Sequence, residues 1–175
     1  MKMKLLSQVL FVCAAAGALL VAGCGKKEEA TKAVPELPVL RKAPAWVLKD
    51  VDGREVKAGD YAGKVVVVDF WATWCPPCRK EIPEYVAMQE KYRARGLVIL
   101  GFSVDELPPA DVKTFGKQFK VNYPLLMADG DTAEAFGGVE GLPTAFVIDR
   151  AGNIRHVKLG LANAAEFEAL VASLL

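Results

Sequence analysis

The sequence predicts an α/β fold with a mixed sheet, and three features carry that expectation. Two apolar runs of strand length, Val65–Trp71 and Leu97–Ser103, are each followed by a segment with helical spacing of apolar residues. Runs this rich in β-branched and aromatic residues suit strands buried on both faces. Further on, Thr144–Ile148 and residues 154–159 flank the turn residues Asp149-Arg150-Ala151-Gly152, which reads as an antiparallel hairpin closing the sheet. With 175 residues, 53% hydrophobic and 25% charged, the chain is long enough for one domain with a real core and too short for two of ordinary size.

The first residues have the pattern of an export signal. Lys2 and Lys4 precede an apolar stretch over residues 9–22 that is too short and too rich in Ala and Gly to suit a membrane span. Leu20-Val21-Ala22-Gly23 followed by Cys24 resembles the lipobox of bacterial lipoproteins, in which the cysteine is acylated and becomes the mature N-terminus. The expected organisation is a lipoprotein signal peptide at 1–23, a lipidated N-terminus and flexible tether at 24–43, and a domain at 44–175. Two or more acyl chains on Cys24 would anchor the chain stably, where one would hold only marginally. Residues 25–43 are polar, include Lys26-Lys27-Glu28-Glu29, Pro35 and Pro38, and show no helical or strand period, as a tether would. Without Lys2 and Lys4 the chain holds 20 basic and 21 acidic residues, so no basic excess points to nucleic acid.

The domain opens on a short hairpin, Trp46-Val47-Leu48 and residues 54–57 around the turn Asp52-Gly53. After the strand Val65–Trp71, residues 76–95 read as a helix whose Ile82, Tyr85, Met88 and Tyr92 form a core stripe, with a bend at Pro83 and a stop at Gly96. Pro109 can start the next helix, with Val112, Phe115 and Phe119 on one face. Residues 123–127 read as a short strand, and Asp131 as the cap of a brief helix ending at Gly137-Gly138. Asn163 with Glu166 reads as a capping pair for a last helix that buries Phe167, Leu170, Val171 and Leu174.

The chemistry concentrates at Trp74-Cys75-Pro76-Pro77-Cys78, directly behind the valine-rich strand. Cys13 lies in the leader and Cys24 is the lipid site, so Cys75 and Cys78 alone serve the domain. In an oxidising compartment, one tight pair points to thiol-disulfide exchange rather than a staple, because so short a loop gains little entropy from closure. Cys75 falls just before the helix and Cys78 in its first turn, where unpaired N–H groups and the macrodipole favour an anion. Cys75 is therefore the candidate nucleophile, its thiol held below the ordinary cysteine value. Cys78, facing inward, is the resolving thiol. Pro76 and Pro77 remove two donors and stiffen the turn. Asp69 stands in a four-valine strand, where an unpaired charge is costly, so its carboxyl should titrate high.

Val68-Asp69-Phe70-Trp71-Ala72, the Trp74-to-Cys78 motif and Pro83 together resemble thioredoxin, and Gly141-Leu142-Pro143-Thr144-Ala145-Phe146-Val147-Ile148-Asp149 resembles its cis-proline loop and following strand. The hairpin start, the Pro-Pro dipeptide, the insertion between Ser103 and Gly141 and the leader are more similar to the extracytoplasmic TlpA/ResA-like branch, related to AhpC/TSA proteins. The resemblance covers residues 44–175. It implies a thioredoxin-like fold, a central mixed sheet flanked by helices with an N-terminal hairpin and a central helix-strand insertion. It also implies a membrane-anchored thiol-disulfide oxidoreductase of the bacterial cell envelope, facing the periplasm or extracytoplasmic space. Such an enzyme would work as a monomer with no cofactor beyond the Cys75–Cys78 disulfide and no metal. Its substrates would be protein disulfides or thiols, apocytochromes c among them, and a membrane thiol-disulfide carrier would supply electrons.

By the same resemblance Asp69 is the buried acid-base for Cys78, and Glu81 matches an active-site glutamate of the ResA-like branch. Glu81 lies on the same helical face as Cys78, although Arg79-Lys80-Glu81 also reads as a solvated charged turn. Having both acids departs from many members of that branch. A cis Leu142-Pro143 bond would present the backbone of Leu142 to a substrate segment, and Trp74 would line the site with Trp71 beneath it. His156, the sole histidine, is expected at the surface or an edge. Two other functions compete. A Cu(I) chaperone of this fold would use the soft thiolates, but would want wider cysteine spacing and a placed histidine. A thiol peroxidase would want Thr and Pro where this chain has Ala72 and Val68.

Overall fold

The computed structural model describes residues 37–175. Its elements in chain order are β1 (Arg41–Lys42), β2 (Val47–Asp50), β3 (Glu55–Lys57), β4 (Val65–Trp71), α1 (Pro76–Tyr92), β5 (Leu97–Ser103), α2 (Pro109–Gln118), β6 (Leu125–Met127), α3 (Gly130–Ala135), β7 (Thr144–Ile148), β8 (Asn153–Leu159) and α4 (Ala164–Ala172). The strands form one mixed sheet in the order β1-β8-β7-β4-β5-β6-β2-β3. Strand β4 is buried along its whole length because it runs parallel to β5 on one side and antiparallel to β7 on the other.

Its alternate residues feed two cores. Val65, Val67 and Trp71 join Ile82, Tyr85, Met88 and Tyr92 of α1, Val112 of α2, and Phe167 and Val171 of α4. Val66, Val68 and Phe70 face the other way, toward Trp46, Leu48, Phe102, Phe136 and Phe146. There Phe70 meets Phe102, Phe136 and Phe146 edge-on, with ring centroids 5.3, 5.4 and 5.9 Å apart. Edge-to-face contact suits the ring quadrupole better than a stacked sandwich. Gly101 of β5 stands beside Trp71, and a Cβ there would come within 2.9 Å of the indole nitrogen and 2.7 Å of Leu125. A methyl group at that position would push the tryptophan away.

Three sequence expectations change. The tether through residue 43 is too long, because Arg41 and Lys42 pair with Ile154 and Asn153 on β8. Leu40 and Ala43 donate to the Ile154 and Gly152 carbonyls, and the Arg155 guanidinium holds the Leu37 and Pro38 carbonyls. The segment covers what would otherwise be an open sheet edge. The cap of α3 is Asp129, not Asp131: Asp129 is extended and accepts from the Thr132 amide at 2.7 Å, leaving Asp131 inside the first turn. The helix after the cysteines ends at Tyr92, and Arg93–Arg95 tighten into a 3-10 turn before Gly96. The signal peptide, Cys24 and residues 25–36 lie outside the described residues.

Candidate active site

The sequence places Cys75 at the N-cap of α1 and Cys78 in its first turn, and both are buried. They form a disulfide with Cα atoms 5.3 Å apart. The Cys78 amide points at the Cys75 sulfur, 3.3 Å away. Pro76 and Pro77 occupy the first helical positions, where a missing N–H costs nothing. The free amide at the cap is thereby concentrated on the Cys75 sulfur. The loop before β7 contains a cis Leu142-Pro143 peptide, and its Leu142 packs against the core cluster that holds both cysteines. That loop is tied down by Thr144 Oγ1 donating to the Gly141 carbonyl at 2.7 Å and by the Gly160 amide donating to the Pro143 carbonyl at 2.8 Å. Trp74 is 65% exposed, the most solvent-facing of the large side chains beside the pair.

Below the pair lies a buried charge cluster. Asp69 sits on β4 with Trp71, on the face that carries the cysteines, and its Oδ1 has no partner among the described residues. Burial pushes its carboxyl well above the ordinary aspartate value; Lys158 pulls it down and Glu81 pushes it up. Glu81 and Lys158 form a buried ion pair at 2.6 Å, with side chains only 5% and 3% exposed. Burial raises the Glu81 carboxyl against the downward pull of that ammonium. Glu81 is therefore no solvated turn residue. Tyr85 Oη and Trp71 Nε1 are also buried without partners among the described residues. With Asp69 Oδ1 and Glu81 Oε2 they make four buried side-chain polar atoms without a partner among the described residues, and each calls for a reason.

Two residues here escaped sequence reading. Lys158 lies on β8, whose polar residues suggest a solvated face; α1 and α4 close over it instead. Asp105, just beyond β5, accepts from the Thr73 amide at 3.0 Å, from Thr73 Oγ1 at 2.6 Å and from Ser103 Oγ at 2.7 Å. It pins the residue before Trp74, so the approach to Cys75 is fixed. Arg79 reaches from α1 over the rings of Phe115 and Phe119, joining the inserted helix α2 to the first turn of the site. Trp71 lies beneath that helix, 5.4 Å from Phe115. His156 is half-buried on β8, with β1 beyond it at the sheet edge.

A cysteine pair at the start of a helix, a cis-proline before the strand next to β4 and a buried acid on the same face of the sheet are the parts of a thiol-disulfide oxidoreductase of thioredoxin fold. The comparisons with known proteins agree. The AhpC/TSA family model matches residues 39–157, and the chain belongs to that family. It is 35% identical over 146 residues to the thiol-disulfide oxidoreductase ResA of Bacillus thuringiensis subsp. konkukian (strain 97-27), covering 83% of this chain and 80% of that protein. Against ResA of Bacillus subtilis (strain 168) identity is 38% over 120 residues, covering 67% and 65%. The crystal structure of a thiol:disulfide interchange protein of the thioredoxin family from Chlorobium tepidum TLS superposes with a TM-score of 0.71 at 37% identity, covering 77% of this chain and 95% of that one. Within the family the chain is ResA-like.

Proposed function

We propose that this oxidoreductase works outside the cytoplasm, anchored by lipid on Cys24, and reduces disulfides in exported proteins, apocytochromes c among them. The reading rests on one observation above all: the Cys75–Cys78 disulfide at the N-terminus of α1, on the sheet face that carries the buried Asp69. In the reduced enzyme the Cys75 thiolate, favoured by the Cys78 amide and the helix terminus, attacks a substrate disulfide and forms a mixed disulfide. Cys78 then gives up its proton, attacks the Cys75 sulfur and releases the substrate as a thiol. The two sulfurs carry the electrons without a further cofactor, and a membrane thiol-disulfide carrier restores the dithiol.

The surroundings suit a protein substrate. Trp74 offers an exposed aromatic face and Pro76 stands exposed two residues on, and the proposed docking edge is the backbone of Leu142 before the cis Pro143. The export signal, the lipobox-like Cys24 and the absence of cysteines other than the active pair in the domain support the extracytoplasmic reading. Among the described residues no helix is long and apolar enough to cross a membrane.

Replacing Cys78 with Ala in the native cell should trap substrates as mixed disulfides on Cys75, visible as high-mass bands that vanish on reduction. Exported proteins with paired cysteines are the expected captives. If no such adducts form, and the purified dithiol binds Cu(I) tightly while reducing no protein disulfide, a metal carrier takes this reading's place.

A further inference from the structure

Lys158 is a full positive charge in a protein interior, which is rare without a reason. Its ammonium donates to Glu81 Oε1 at 2.6 Å and to the Gly160 carbonyl at 3.0 Å, which leaves one of its three N–H donors uncommitted. The rings of Tyr85 and Phe167 sit 5.8 and 5.6 Å from it and close it off from water. In the sheet register Asp69 pairs with Ala145, and Ala145 pairs with Lys158, so acid and base stand on the same face two strands apart. Two strands span roughly 10 Å, and in the register Ala145 stands between them. Two carboxyls therefore share one buried cation. The charge of a second carboxylate would go uncompensated.

We propose that Lys158 is a positioning residue that holds one negative charge and one proton between Asp69 and Glu81, so that the oxidised site keeps a proton in reserve for the Cys78 sulfur. The exchange then balances. When a dithiol donor attacks Cys75, the Cys75–Cys78 bond breaks, its electron pair leaves on the Cys78 sulfur, and that thiolate takes the stored proton. In the reverse direction the Cys78 thiol returns the proton to the carboxylate, its sulfur bonds to Cys75, and the substrate sulfur leaves with the electron pair. Glu81 borders a cavity of about 210 Å3 between α1 and the start of α4, lined also by Glu84, Tyr85, Ala162 and Glu168. Through it the two acids exchange protons with solvent, so that the oxidised site returns to a single stored proton.

The groups facing this cluster are few. From β4 there is Asp69; from β8, His156 as well as Lys158; from α1, Glu81, Glu84 and Tyr85. Tyr123, ahead of β6, feels both acids, and Glu168 of α4 is engaged by Lys91 and Tyr92. In the oxidised protein the cysteines do not titrate, so near neutral pH only the two acids remain to share the charge of Lys158.

This assignment rests on the exchange reaction proposed above, and its charge count can be tested without a substrate. Difference infrared spectra of the oxidised full chain at neutral pH should show one protonated carboxyl band that disappears in Asp69→Asn. Glu81→Gln should also abolish that band, because the lysine then pairs with Asp69 and ionises it. Lys158→Met should add a second band, lost on adding Glu81→Gln, while Lys158→Arg keeps one. In stopped-flow assays Lys158→Met should slow resolution by Cys78 about tenfold, the factor carried by one pKa unit. A Glu81→Gln protein that keeps the Asp69 band overturns the proposal, even if Lys158→Met fails to fold. Correct band counts in a protein that reduces no protein disulfide would instead overturn the function and leave the charge-sharing in place.

Discussion

Two aspartates show how differently this molecule treats a carboxylate. Asp149, just past β7 at the hairpin turn, accepts from the Ala151 and Asn153 amides at 3.0 and 2.9 Å, and from Asn153 Nδ2 and the Arg155 guanidinium at 3.3 and 3.0 Å. Asp69, in the middle of β4, has an oxygen with no partner among the described residues. Burial pushes both carboxyls upward. At Asp149 the surrounding donors outweigh it and hold the group below its ordinary value; at Asp69 nothing does, and the group stays well above. One site is built to keep its charge and the other to keep a proton. The first stabilises the hairpin and the N-terminal segment that Arg155 grips. The second is a cost the fold carries beneath the cysteines.

The difference has opposite consequences for stability. Asp149→Ala should destabilise the domain by about 2 kcal/mol at neutral pH, the scale of losing hydrogen bonds to a charged group. Because the folded Asp149 titrates below its unfolded value, its contribution is present above the ordinary aspartate range and fades as pH falls through the lowered value. Denaturant unfolding at a series of pH values should therefore show the Asp149→Ala penalty shrinking in acid. Asp69→Asn should act the other way and more weakly, stabilising the oxidised protein by about 1 kcal/mol at pH 8. The folded Asp69 binds a proton that the unfolded chain releases, so wild-type stability falls as pH rises from the ordinary aspartate value toward the raised one. The variant lacks that slope. A penalty for Asp69→Asn at every pH would mean that Asp69 is a structural residue like Asp149, and the contrast would collapse.

What could be read from the sequence follows the same division. Strand β4, the helix after it and the cysteine pair were legible because each rests on neighbours in sequence: a β-branched run, a cap and a two-residue spacer. Asp69 was legible as an anomaly, a carboxylate among valines. Lys158 was not, because Asn153, Arg155, His156 and Lys158 give β8 the polar character of a solvated strand, and only the closure of α1 and α4 over it creates a buried cation. Asp105 was equally silent, since its partners Thr73 and Ser103 come from two strand ends that meet only in the sheet. Likewise β1 was hidden in a proline-containing tether: its two residues have no pattern of their own and are ordered by the edge of β8. Asp129 and Asp131 could each cap a helix, and the choice falls on Asp129 because its backbone is extended and its carboxylate accepts from the Thr132 amide.

We propose that Asp69 exchanges a proton with Cys78 rather than holding the fold together. Stopped-flow measurement of wild type and Asp69→Asn on a protein disulfide separates attack by Cys75 from resolution by Cys78. Removing an acid-base group lowers the dependent step by about 100-fold or more, so resolution should slow by that order while attack changes by no more than a few-fold. Equal slowing of both steps, or no slowing of either, would contradict the account.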